Sequence, residues 1–321
     1  MTSQPTDSLD GFTRSSQLMV PLGYRPPGPA RALLGWLPQD HGESFLARQA
    51  DDGLSEVQRA RAAAARDAVA ARPAGIDQAN VVSPLPEELA GHVARLDSTP
   101  AGARMRAEGW EIAMVDLARV VAVQPSVFTD TAAERAASLD PGDLRAVAEL
   151  TLPVSRTRPI GELEPGDDVA PLQVQYNHLK QTYTIDSPNL NLTVAGNFNA
   201  PDNRDAQQPG GLLGFGFNVM VPPSFIQVAR FQGRYLLRDG NHRSFGLLGR
   251  GITRVPAYVR DFAAAEELVP AGIETLPRSA WLGDRPPLLR DYHDDLVAEP
   301  VLLAVPHRMI VIHAVELLIT N

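Results

Sequence analysis

The segment from residue 239 to residue 244, "DGNHRS", gathers side chains that can handle phosphate groups and protons. Arg243 is a planar donor whose paired N–H groups suit a phosphate, and His242 can donate a hydrogen bond or move a proton. Asp239 is a carboxylate that can accept a proton or lie beside a metal ion. Together these residue types predict phosphate chemistry. One alternative stays open: Asp239 caps a turn, His242 packs against the protein and Arg243 forms a salt bridge.

The neighbouring residues predict how this segment is held. The stretches "FIQVARF", "QGR" and "YLLRD" predict a β-hairpin that ends at Asp239. Gly240 then makes a sharp turn, Asn241 caps a helix from about His242 to Leu248, and "RVPAYV" forms the next strand. The free N–H groups and the dipole of a helix start favour an anion. The segment is therefore a predicted anion site.

Three glycines shape the predicted helix. Gly251 is expected to end it, in agreement with the usual preference for glycine just after a helix. Gly246 and Gly249 lie inside it, where each weakens a helix by about 1 kcal/mol relative to alanine. We expect that these two glycines allow another backbone to approach closely.

The order of these elements resembles the ParB/sulfiredoxin superfamily. Its members carry a hairpin, a Gly-x-x-Arg element, a helix, a Gly-hydrophobic-x-x-Val/Ile-Pro element and a strand. Here the elements are Gly240 with Arg243, then Gly251-Ile252 and Val255-Pro256, and the resemblance covers residues 222–260. The form "DGNHR" looks most like the branch that includes the nucleotide-dependent free-serine kinases. Asn241 stands where sulfiredoxins have their catalytic cysteine, so their sulfinic acid reduction is excluded.

The resemblance implies a fold and a ligand. In the superfamily the Gly-x-x-Arg helix start holds nucleotide phosphates, which implies a nucleoside di- or triphosphate with Mg²⁺ and a small hydroxyl compound as acceptor. The phosphate-binding candidates are Gly240, Asn241, His242, Arg243 and Ser244, and the catalytic candidates are Asp239 and His242. The expected activity is phosphotransfer or nucleotide hydrolysis. Two alternatives stay open, a non-enzymatic switch that binds a nucleotide or a protein partner, and a ParB-like protein that acts on DNA.

Two other segments contain candidate ligands. The stretch "RDYHDD" contains oxygen and nitrogen donors that suit a hard cation such as Mg²⁺: Asp291, His293, Asp294 and Asp295. A solvated acidic loop is the alternative there. The stretch "GGLLGFGF" resembles a phosphate loop in its glycine content, with Gly210, Gly211, Gly214 and Gly216, and a flexible loop is the alternative.

Composition excludes several classes of protein. The chain of 321 residues contains no cysteine, which excludes disulfides, thiolate catalysis and cysteine-ligated metals and fits a cytoplasmic protein. Lys180 is the single lysine and does not follow a glycine-rich loop, which excludes a Walker P-loop. The net charge is −9 and no helix-turn-helix pattern follows the central segment, so duplex DNA is not an expected partner. No apolar run is long enough for a membrane helix, and the N-terminus lacks the pattern of a secretory signal.

The chain as a whole predicts an α+β protein in three segments. Residues 1–105 form an N-terminal arm and a helical region, with Trp36 and Leu37 as apolar anchors of the arm. Residues 106–262 form the ParB/sulfiredoxin-like nucleotide-binding domain with an insertion, and residues 263–321 form a C-terminal extension. The predicted helices are 55–71, 86–96, 131–139 and 141–150, the last capped by Asp140. Strands are predicted in 110–125, in 172–200 and on both sides of a break near Pro306 and His307. For the stretch around this break, a helix is the alternative.

Overall fold

The computed structural model describes residues 26–48, 54–154, 173–187, 191–199, 215–268 and 274–313. Its α-helices are Gln39–Ala47 (α1), Glu56–Ala71 (α2), Ala90–Asp97 (α3), Pro100–Ala107 (α4), Thr131–Ala137 (α5), Leu144–Thr151 (α6), Asn241–Gly249 (α7) and Arg278–Trp281 (α8). Short 3₁₀ helices cover Leu34–Trp36, Glu87–Leu89, Leu117–Arg119, Ala265–Glu267 and Leu289–His293. None of the helices in the described ranges has the length and apolar character needed to cross a bilayer.

The strands form several small sheets. They are Gly28–Ala32 (β1), Val82–Ser83 (β2), Glu111–Asp116 (β3), Ser126–Phe128 (β4), Gln173–Asn177 (β5), Thr182–Ser187 (β6), Thr193–Asn199 (β7), Phe215–Met220 (β8), Gln227–Phe231 (β9), Arg234–Asp239 (β10), Arg254–Asp261 (β11), Glu299–Leu303 (β12) and Arg308–His313 (β13). Helices and sheets are both present, which confirms the α+β class.

The chain divides into two compact units, and neither is continuous in sequence. The larger unit contains residues 27–156 and 223–304. The smaller unit contains residues 1–26, 157–222 and 305–321. The predicted anion segment lies entirely within the larger unit.

The largest sheet has the strand order β10-β9-β11-β3-β2 and carries the predicted anion segment at its edge. β9 and β10 form the predicted hairpin, and its turn places Gln232 and Gly233 at positive φ. β11 pairs in parallel with β9 and antiparallel with β3, so the strand after α7 lies inside the sheet. The hairpin, α7 and "RVPAYV" therefore form the elements that the sequence predicts, in the predicted order.

The second sheet of the larger unit joins distant parts of the chain. Its order is β12-β1-β4, and all its pairs are antiparallel. Strand β1 comes from the N-terminal arm and β12 from the region after residue 263, so these two regions meet through backbone hydrogen bonds. Trp36 and Leu37, which follow β1, are buried in the main hydrophobic cluster, as predicted for anchors of the arm. The indole N–H of Trp36 also donates to the Arg285 carbonyl at 2.6 Å.

The smaller unit contains two described sheets. Strands β13, β6 and β5 form one sheet with antiparallel pairs, and β7 pairs with β8 in the other. β12 and β13 lie on the two sides of residues 304–307, which confirms the predicted break near Pro306 and His307. Of the stretch "GGLLGFGF", Gly210, Gly211 and Gly214 lie outside the described residues, and Gly216 is in β8.

Two predicted helix caps are wrong. α6 is capped by Asp143, whose side chain accepts from the Ala146 N–H at 2.9 Å, rather than by Asp140. The Asp140 side chain instead accepts from the Gly142 N–H at 2.9 Å, which stabilises a turn before the helix. α7 has Gly240 rather than Asn241 at the N-cap position, because the left-handed turn at Gly240 already places Asn241 in the helix. The cap Ser55 of α2 is as predicted and includes a capping box with Gln58.

Candidate active site at the start of α7

The turn into α7 requires a glycine at residue 240. The φ of Gly240 is 96°, in the left-handed region that side chains with a Cβ rarely adopt. A Cβ at this position would lie 2.7 Å from Cγ1 of Ile226, so there is no room for one. No side chain caps the helix that follows. The first turn of α7 therefore presents backbone N–H groups that the helix itself cannot pair.

Arg243 is held by oxygen atoms from two other parts of the chain. Its Nη1 donates to the carbonyls of Leu150 at 3.0 Å and Ser224 at 2.8 Å, and its Nη2 donates to the Ser224 hydroxyl at 2.9 Å. These bonds join the first turn of α7 to the end of α6 and to the segment before β9. These bonds fix the guanidinium in position beside the helix start.

Asp239 belongs to the same network. One oxygen of its carboxylate accepts from the Ser224 hydroxyl at 3.1 Å, and the other accepts from the Gly240 N–H at 2.6 Å. The hydroxyl of Ser224 therefore bridges Asp239 and Arg243. The arrangement holds a carboxylate and a guanidinium close together at the turn, with one neutral group between them.

His242 pairs with a residue that the sequence analysis did not name. Its Nδ1 lies 2.5 Å from Oδ2 of Asp130, and both side chains are partly exposed. The other carboxylate oxygen of Asp130 accepts from the Ala133 N–H at 3.1 Å, so Asp130 also stabilises the start of α5. A carboxylate at Nδ1 fixes the orientation of an imidazole and leaves Nε2 for proton transfer. The only feature of the sequence that marks Asp130 is its place before a helix.

Two buried polar side chains lie in the first turn of α7. Asn241 is 6% exposed and Ser244 is fully buried. The Oδ1 of Asn241 and the Oγ of Ser244 have no hydrogen-bond partner within the described part of the chain. Buried polar atoms usually have a partner, because an unpaired one costs about 1–3 kcal/mol. Among the described residues, this helix start therefore contains two buried side-chain oxygens that have no partner.

α7 packs closely against α5, which carries Asp130 at its start. A Cβ on Gly246 would lie 2.1 Å from the Ala133 carbonyl oxygen, so α5 and α7 meet backbone to backbone at this glycine. The predicted close approach is confirmed for Gly246. At Gly249 the neighbour is a side chain, with the ring of His293 3.3 Å from the position of a Cβ.

The three aspartates of "RDYHDD" pair with two arginines from other parts of the chain. Arg72 pairs with Asp291 at 3.1 Å and with Asp294 at 2.8 Å, while Arg31 pairs with Asp295 at 2.7 Å. The ring of His293 stacks on Phe245, with 4.2 Å between centroids, and its Nε2 bonds to the Phe245 carbonyl at 3.0 Å. Within the described ranges, no three histidine, aspartate or glutamate side chains form a group that could hold a metal ion.

Comparisons of the whole chain with protein-family models, with curated proteins and with solved structures find no match. The resemblance to the ParB/sulfiredoxin superfamily therefore depends on residues 222–260 themselves, and the function that it implies is a proposal.

Proposed function

We propose that the start of α7 binds the phosphates of a nucleotide and that the protein transfers or hydrolyses the terminal phosphate. The observation that carries the proposal is the uncapped helix start after the left-handed Gly240, with Arg243 fixed beside it. Such a start combines free N–H groups with the positive end of the helix dipole, which together favour a phosphate. The resemblance of the "DGNHR" segment to nucleotide-binding proteins supports the same ligand.

Each side chain has a role in this proposal. The N–H groups of the first turn and the Arg243 guanidinium bind phosphate oxygens. His242, oriented by Asp130, moves a proton at its Nε2. Magnesium at nucleotide sites is held mainly by phosphates and water with one or two carboxylates, and Asp239 offers one carboxylate at the turn. When bound, the ion would neutralise charge on the phosphates.

The direct test is calorimetric titration of the protein with ATP, ADP, CTP and GTP in the presence of magnesium. We expect Arg243→Ala to reduce the affinity for the bound nucleotide by about 1.5–3 kcal/mol, because a charge-assisted contact is lost. We expect Arg243→Lys to recover part of the loss, since lysine keeps the charge and lacks the planar fork.

Arg243 also holds the fold, so the test needs a matched control. Ser224→Ala removes the hydroxyl that bonds to Arg243 and Asp239 and leaves the guanidinium in place. Ser224→Ala should therefore keep most of the nucleotide affinity while it loses some stability. The proposal fails if no nucleotide binds to the wild-type protein, or if Arg243→Ala binds as tightly as the wild type while folded by circular dichroism.

A non-enzymatic switch is the second candidate, and one observation favours it. One carboxylate oxygen of Asp239 accepts from the Gly240 N–H of the turn and the other from the Ser224 hydroxyl, which is the geometry of a residue that fixes a backbone. In that case the nucleotide would bind and dissociate unchanged. Turnover of the bound nucleotide decides between the two candidates.

A further inference from the structure

Two arginines on the main sheet share one pair of aromatic rings. Trp110 and Phe262 pack edge to face, with 5.7 Å between their ring centroids. The Cζ atom of Arg238 lies 5.7 Å from the Trp110 centroid and 5.8 Å from the Phe262 centroid. The Cζ atom of Arg260 lies 5.9 Å and 4.8 Å from the same two centroids. Both guanidiniums therefore converge on one small area of the protein.

The fold brings these arginines together through a strand irregularity. The pairing of β10 with β9 shifts between Leu237 and Asp239, so Arg238 is the extra residue of a β-bulge. Arg260 is near the end of β11, which pairs with the other side of β9. Phe262 follows β11 and Trp110 precedes β3, the next strand of the sheet. A β-bulge commonly redirects a side chain, and at this bulge the Arg238 side chain lies beside the aromatic pair.

Neither arginine forms an ion pair with the described residues. The one hydrogen bond from the Arg238 guanidinium goes to a neutral group, the side-chain oxygen of Gln227, at 2.7 Å. The Nε of Arg238 is buried and has no partner within the described ranges. Burial lowers the pKa of Arg238 from its ordinary value, Arg260 lowers it further, and the charges of Asp239 and Glu108 oppose this.

Two of the nearby carboxylates have hydrogen-bond partners of their own. Asp239 accepts from Ser224 and from the Gly240 N–H. Asp261, which follows Arg260, pairs with Arg230 through both of its oxygens. Two partly buried cations that repel each other are unfavourable, and an anion between them would offset the desolvation and the repulsion.

We propose that Arg238 and Arg260 form an oxyanion-binding site for a phosphate or carboxylate group of a small molecule. The aromatic pair holds the two guanidiniums close together, and their Nη groups donate to the anion. Two guanidinium groups, each with a planar set of N–H donors, match a ligand group with several oxygens and more than one negative charge. The proposal does not depend on nucleotide binding at α7.

The experiment is a calorimetric titration of the full-length protein with inorganic phosphate and, separately, with malonate, at constant ionic strength set by sodium chloride. We expect at least one of these anions to bind. We expect Arg238→Gln and Arg260→Gln each to weaken that binding at least tenfold. Arg250→Gln changes an exposed arginine at the other end of α7 and should bind like the wild type. Binding of phosphate alone assigns a phosphate ligand, and binding of malonate alone assigns a carboxylate ligand.

Two results would overturn the proposal. The first is the absence of binding for both anions. The second is an anion affinity that stays the same in the Arg238→Gln/Arg260→Gln double variant, which would place the anion elsewhere, such as the start of α7. Arg238 is partly buried, so its replacement can also destabilise the fold. Arg260→Lys is a milder variant, because it keeps the positive charge and removes only the planar set of N–H donors. This variant should bind the anion less tightly than the wild type, and equal binding would contradict a role for the guanidinium of Arg260.

Discussion

The imidazole Nδ1 of His242 lies 2.5 Å from Oδ2 of Asp130, a residue 112 positions earlier in the chain. The contact joins the first turn of α7 to the start of α5. Asp130 has two functions in this position, since its other oxygen accepts the Ala133 N–H at 3.1 Å. In this pair a proton carrier and a carboxylate meet directly at the candidate site.

Replacing Asp130 by asparagine should move the proton of the neutral His242 imidazole from Nδ1 to Nε2. Asparagine caps a helix as well as aspartate does, so its oxygen remains with the Ala133 N–H and its NH₂ group faces His242. Nδ1 must then accept a hydrogen bond, and the proton should lie on Nε2. Long-range ¹H–¹⁵N NMR of the imidazole rings at about pH 8, above the ordinary pKa of histidine, measures this.

His92 is the internal control for that experiment. Its Nε2 bonds to the Leu152 carbonyl at 2.9 Å, which requires a proton on Nε2 in both proteins. An unchanged His242 spectrum in Asp130→Asn would show that Asp130 does not set the position of the proton.

Gly240→Ala should destabilise the protein more than Gly251→Ala does. Both glycines have positive φ, of 96° and 76°, so an alanine at either site carries a backbone cost of about 1–2 kcal/mol. A Cβ at residue 240 would also lie 2.7 Å from Ile226, whereas residue 251 has no atom within 4 Å of its Cβ position. Overpacking adds about 1–3 kcal/mol at residue 240. Urea unfolding of both variants measures the difference, and equal losses would mean that the turn adapts to a Cβ.

Gly246→Ala and Gly249→Ala should have opposite effects within the same helix. Alanine raises helix propensity by about 1 kcal/mol at either site. At residue 246 the Cβ would lie 2.1 Å from the Ala133 carbonyl oxygen, so α5 must move and the overpacking cost exceeds the gain. At residue 249 the neighbour is the exposed ring of His293, at 3.3 Å, which can shift. We expect a lower midpoint of unfolding for Gly246→Ala and an equal or higher one for Gly249→Ala. A stabilised Gly246→Ala would contradict the close packing of α5 on α7.

Asp239→Asn should separate an enzyme from a switch. The change keeps the shape of the side chain and removes its charge, so we expect nucleotide affinity within about tenfold of the wild type, which is about 1.4 kcal/mol. If Asp239 accepts a proton or faces magnesium, phosphate transfer or hydrolysis should decrease by about 100-fold or more. The measurement is nucleotide turnover with magnesium and a panel of small hydroxyl acceptors.

Ser224→Ala serves as the comparison for Asp239→Asn, because it removes a hydrogen bond to the same carboxylate and leaves the charge. Normal turnover by Asp239→Asn would reduce Asp239 to a residue that forms the turn. A wild-type protein that binds a nucleotide and never converts it would leave the switch as the function.

The local elements around Asp239 could be predicted from the sequence because neighbouring residues determine them. The strand predicted in 110–125 was wrong beyond Asp116, where a 3₁₀ helix follows. The hairpin before Asp239 follows from alternating apolar residues around a glycine turn, and the helix and strand after it follow from Gly240, Gly251 and the β-branched run. The same holds for α2, where Ser55 and Gln58 form a capping box. The sequence predicts Asn241 as the N-cap of α7, but the N-cap is Gly240. Only the backbone angles distinguish these two residues as the first one outside the helix.

The contacts that define the candidate site were decided by the tertiary structure. Asp130 meets His242 because Gly246 lets α5 and α7 pack backbone to backbone, and no local pattern encodes that distance. Arg243 donates to the carbonyl of Leu150, an acceptor that every residue possesses and that a sequence therefore cannot single out. Residue types and spacing determine which chemistry a segment can perform, and packing between distant segments determines which groups come within hydrogen-bonding distance.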